Sequence, residues 1–62
     1  MKTFVATNEK DQVDTVYYDL GMAMLSQQPK IHAFDENGDK VAVFILNPYM
    51  GLYTRTIVKE VA

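Results

Sequence analysis

The stretch Glu36-Asn37-Gly38-Asp39, with a β-forming run on either side, constrains this chain more than any other feature. Asn-Gly supplies two residues at positive φ, as a two-residue type I′ hairpin turn requires. Residues 30–35 and 40–46 are therefore expected to pair antiparallel. With Asn37 and Gly38 central, Glu36 faces Asp39, Phe34 faces Val41, Ala33 faces Ala42 and His32 faces Val43. Asn47-Pro48-Tyr49-Met50-Gly51 then reads as a second turn, and residues 52–61 as a last alternating strand. A loop from Asn47 to Gly51 sets Leu46 opposite Leu52 and Ile45 opposite Tyr53. A slip of one residue there would exchange the two faces of that strand.

Upstream, residues 2–7 are rich in β-formers and predict a first strand. Asn8 is placed to cap a helix, with Glu9 and Asp11 at its positive end. Val13, Val16, Tyr17, Leu20 and Met24 then follow the i, i+3, i+4, i+7, i+11 ladder of an amphipathic helix. Pro29 is expected to end it, because the residue before proline is pushed out of helical geometry. Gly21 costs that helix ~1 kcal/mol against alanine, for which a close approach to the sheet is the expected reason. The predicted fold is α+β: a single small domain over residues 1–62, a strand-helix-three-stranded antiparallel meander (β-α-β-β-β). Its one helix packs on one face of the sheet.

Length makes such a fold marginal. A domain of 62 residues hides only about 60% of the surface its unfolded chain exposes. Disulfides, a metal or a partner subunit commonly make up the deficit. The chain is cysteine-free, which removes disulfides, thiolate zinc sites and thiol catalysis together. His32 is the only histidine and cannot build a four-ligand zinc site. Association is the remedy left open.

The register assigns each sheet face a character. One gathers Ile31, Ala33, Ala42, Phe44, Leu46, Leu52, Thr54, Thr56 and Val58, small and apolar enough to lie under the helix. The other gathers Lys30, His32, Phe34, Val41, Val43, Ile45, Tyr53, Arg55, Ile57 and Lys59, β-branched and aromatic at its centre with basic margins. One helix cannot cover both. The helix itself shows a second apolar stripe, Tyr18, Met22 and Leu25, beside the first. Contiguous exposed apolar patches mark binding or self-association. The competing reading is a tight core with the register misplaced by one. At the second turn Tyr49 has two readings as well, an interface anchor or a lid folded back on the core.

Catalytic chemistry is sparse. His32 would need a nucleophile or an orienting carboxylate in reach, and Ser26 is the only serine. The three glycines are scattered and form no phosphate cradle. Asp35-Glu36-Asn37-Gly38-Asp39 resembles the start of a calcium loop, but its glycine falls at position four and Leu46 takes the place of the bidentate glutamate. No enzyme, cofactor or metal is expected.

Six basic against eight acidic residues give a net charge of −2, the wrong sign for a general nucleic-acid binder. Still, Lys30, His32, Arg55 and Lys59 around Phe34 and Tyr53 form the mixture on which sheets stack bases. No segment approaches a membrane span, and no apolar run of signal-peptide length opens the chain, so the cytoplasm is the expected compartment. The leading expectation is a small non-enzymatic protein-binding module, a regulator or inhibitor that occupies another macromolecule's surface and forms a homodimer. Its expected contact residues are Tyr18, Met22, Leu25, Phe34, Val43, Tyr49, Tyr53 and Arg55. The alternative is a single-stranded nucleic-acid binder using the basic and aromatic sheet face.

Overall fold

The computed structural model describes residues 2–58. It is α+β in kind, with five strands instead of the expected four. In chain order these are β1 (Thr3–Thr7), β2 (Val13–Tyr17), α1 (Leu20–Leu25), β3 (Lys30–Phe34), β4 (Lys40–Asn47) and β5 (Leu52–Ile57). The sheet runs β2-β1-β3-β4-β5, antiparallel throughout. β3, β4 and β5 are successive antiparallel neighbours and β1 lies between β2 and β3, so the order β-β-α-β-β-β replaces the expected β-α-β-β-β.

The extra strand corrects the helix reading. Val13-Asp14-Thr15-Val16-Tyr17 is mostly β-branched and aromatic, residues that suit a pleated surface better than a helix turn. Its helical spacing is incidental. Pairing with β1 satisfies its backbone, setting Phe4 against Tyr17, Val5 against Val16 and Ala6 against Thr15. Val13 is 65% exposed and Val16 44%, so neither belongs to the core.

Asn8 accordingly caps a turn, not a helix. Its Oδ1 accepts from the Lys10 and Gln12 N–H groups at 2.9 and 3.0 Å. Asp11, at φ 61, donates its N–H to the Asn8 carbonyl. The helix N-cap is Asp19, whose Oδ2 accepts from Met22 N–H at 3.1 Å. Gly21 faces that carboxylate and not the sheet: a Cβ there would stand 3.1 Å from Asp19 Oδ2. The six-residue helix stops at Leu25, and Gln27 turns left-handed at φ 58 before Pro29 is reached. The Pro29 carbonyl instead accepts from Leu46 N–H at 2.9 Å, continuing the β3-β4 ladder.

The hairpin at Asn37-Gly38 forms, but with a different turn. The Asp35 N–H donates to the Asp39 carbonyl at 2.9 Å, and Gly38 N–H closes on the Asp35 carbonyl at 3.1 Å. Within this loop only Gly38 has positive φ, at 82. This is a three-residue loop with glycine in the left-handed position. His32 faces Val43 and Ala33 faces Ala42 as expected, whereas an irregularity sets Phe34 opposite Lys40 instead of Val41.

The last strand has slipped by one. Asn47 pairs with Leu52, Leu46 with Tyr53, Ile45 with Thr54 and Phe44 with Arg55. Tyr53, Arg55 and Ile57 therefore share the helix-side face, and Leu52, Thr54 and Thr56 the open one. The end of the expected strand, with Lys59, lies outside the described residues. The core consists of Phe4, Ala6, Ile31, Ala33, Ala42 and Phe44 from the sheet and Ala23 from α1. Ile31 is the one large side chain in it with no exposure, worth about 1.5–3 kcal/mol of burial. Tyr17, Leu20, Met24, Val41 and Tyr53 close its edges half-buried.

Candidate interaction surfaces

Three surfaces stand out, and the helix knob is the simplest. Helix α1 lies against β1 and β2, seating Ala23 fully and Leu20 and Met24 partly on the sheet. Met22 and Leu25 turn away, 55% and 75% exposed, with Tyr18 at 68% in the bend before Asp19. The three expected residues of the second stripe thus lie outside the core. Tyr18 reaches that side from a bend, not from a helical turn.

The open sheet face carries the polar chemistry. A shallow depression of about 450 Å³ crosses it, lined by Val5, Thr7, Asp11, Lys30, His32 and Phe34 among others. Lys40 stands at the same depression, a cation that sequence reasoning passed over because the shifted register brings it opposite Phe34. Lys30 Nζ meets Asp11 Oδ1 at 3.3 Å. Half-buried His32 sets Nε2 3.3 Å from Thr7 Oγ1, and its Nδ1 is buried without a hydrogen-bond partner. Its pKa is lowered, first by desolvation and then by Lys40 and Lys30, with Asp11 pulling it up. Chemically this is a hydroxyl beside a base. The Thr7 hydroxyl belongs to a residue only 4% exposed, and the imidazole has no carboxylate to orient it. Phe34 and Val43, both expected contact residues, are half-buried on this face.

Tyr53 and Arg55 were expected beside them and are not there. The one-residue slip carries both to the helix side. Tyr53 Oη donates to the Gln28 carbonyl at 2.7 Å, and burial pushes its pKa up against a smaller opposing hydrogen bond from Ser26. Tyr53 thus helps close the core. Arg55 is exposed on the same face.

The β4-β5 hairpin forms the third surface. Asn47 Oδ1 accepts from Tyr49 N–H at 2.9 Å and from Met50 N–H at 3.3 Å, and Gly51 closes the loop at φ 69. This ordered turn holds Tyr49 97% exposed, so it does not fold back as a lid. Met50, Leu52 and Val58 are likewise apolar and 53–68% exposed, and Ile57 is exposed on the opposite, helix-side face. Leu52 escaped sequence reasoning because the assumed register placed it under the helix. Compared with models of protein families, with curated proteins and with solved structures, the chain matches none.

Proposed function

We propose that this chain is a small non-enzymatic protein-binding module, a regulator or inhibitor that acts by occupying the surface of another macromolecule, and that it self-associates as a homodimer. One observation carries the reading. Among the described residues eleven large hydrophobic side chains are at least 44% exposed, against seven hydrophobic residues buried in the core. So large an apolar surplus on so small a fold is what association removes from water. Sedimentation of the purified chain at micromolar concentration is the test. A dimer is expected, and a monomer of high thermal stability refutes the reading. Tyr18→Ser with Met22→Ser should keep the circular dichroism of the parent, since neither side chain is in the core, and weaken either the dimer or partner binding.

The second reading, single-stranded nucleic acid on the open face, draws support from Lys40 joining Lys30 and His32 around Phe34. It loses Arg55 and Tyr53 to the other face, and Lys30 is already paired with Asp11. Affinity falling steeply with salt would favour it.

A further inference from the structure

The two edges of the sheet are built differently. Hydrogen bonding alternates along an antiparallel strand, so the outward groups of each edge can be assigned. The Leu46 N–H reaches Pro29 and the Val58 N–H reaches the Val41 carbonyl. With the observed pairing, Leu52, Thr54 and Thr56 point their backbone groups into the β4 ladder, and Tyr53, Arg55 and Ile57 point theirs outward. Among the described residues no strand lies beyond them. The β2 edge is guarded by the devices that discourage pairing. Asp14 puts a charge there, tied to Gln28 Nε2 at 3.2 Å, and the β1-β2 register breaks between Ala6 and Thr7. Edge β5 has six regular residues, no proline and no bulge, with Arg55 as its single charge.

We infer that β5 is the self-association edge, pairing antiparallel with β5 of a second copy across a twofold axis. The inference rests on the self-association proposed above and names its surface. A second copy is the occupant the strand fits, because about an axis near its middle the outward backbone groups of Tyr53 and Arg55 in one copy meet those of Arg55 and Tyr53 in the other. Charge selects the register. Arg55 opposite Arg55 of the second copy would set like charges together. Moving the axis to Thr54 sets Arg55 opposite Tyr53 of the second copy on the helix-side face, where a guanidinium can lie on an aromatic ring. That same register brings Leu52 opposite Thr56 on the open face. The sheet thereby doubles to ten strands, with exposed Leu52 of each copy set against the other's β5. The helix knob of Tyr18, Met22 and Leu25 stays free for a partner of another kind.

Arg55→Pro tests the edge. Proline removes only an outward N–H, so the β4-β5 ladder is kept while pairing with a second copy is blocked. The expected result is a folded monomer at concentrations where the parent and the Tyr18→Ser, Met22→Ser variant are dimers. Amide exchange on the unmodified chain gives an independent reading should the proline variant unfold. The amides of Tyr53 and Arg55 should be fast when dilute and protected when concentrated. A dimer unaffected by Arg55→Pro, or exchange at these amides independent of concentration, overturns the edge and leaves self-association standing. A parent chain monomeric at high concentration overturns both.

Discussion

The loops at residues 8–12 and 35–39 have the same construction and opposite legibility. Each opens on a residue whose Oδ1 accepts two backbone N–H groups. These come from Lys10 and Gln12 to Asn8, and from Asn37 and Asp39 to Asp35, all within 2.9–3.0 Å. In each, the fourth residue is left-handed and donates back to the first residue's carbonyl: Asp11 at φ 61, Gly38 at φ 82. Only the second announces itself, because glycine at that position is an unmistakable turn signal. In the first the same geometry is held by an aspartate, among the few residues that tolerate it, and the acidic run imitates a helix start. In both loops the opening Asx residue holds the turn, and the glycine spares the second loop the left-handed strain that a side chain would bring.

The comparison breaks most sharply at Gly38. A Cβ there would meet nothing within 4 Å, so Gly38→Val should cost only its backbone strain, about 1–3 kcal/mol by denaturant titration. Unchanged stability would mean that the loop does not hold its glycine left-handed. Removing the acceptors comes next. Asn8→Ala and Asp35→Ala should each lose about 1 kcal/mol, with Asp35 the larger because its acceptor is charged. If thermal melts show only one of the pair to matter, the two loops are not equivalent.

The smallest effect links both loops through His32, which lies between them in the sheet. Asp11 of the first loop raises its pKa and Lys40, just past the second, lowers it, on top of the larger desolvation. An NMR titration should find the His32 pKa below 6.5, lower still in Asp11→Asn and raised in Lys40→Gln. With the folded pKa depressed, the unfolded chain binds the proton more readily. The stability contribution is therefore complete above pH 6.5 and is lost as pH falls from there toward the folded pKa. A pKa that ignores both substitutions would place His32 away from these charges.

Local sequence determined what short-range chemistry can decide. Asn37-Gly38 with β-formers on either side specified a hairpin, and with it the pairing of His32 with Val43 and Ala33 with Ala42. Tyr18, Met22 and Leu25 do lie outside the core, but the helix on which they were expected to form a stripe starts only at Leu20. Tertiary structure decided the rest. Val13–Tyr17 combines the apolar spacing of a helix with a β-branched and aromatic composition, and pairing with β1 makes it a strand. The faces of β5 depended on one residue of loop length at Asn47 to Gly51. Side chains alternate with a period of two, so that single residue moved Tyr53 and Arg55 to the helix side and Leu52 to the open one.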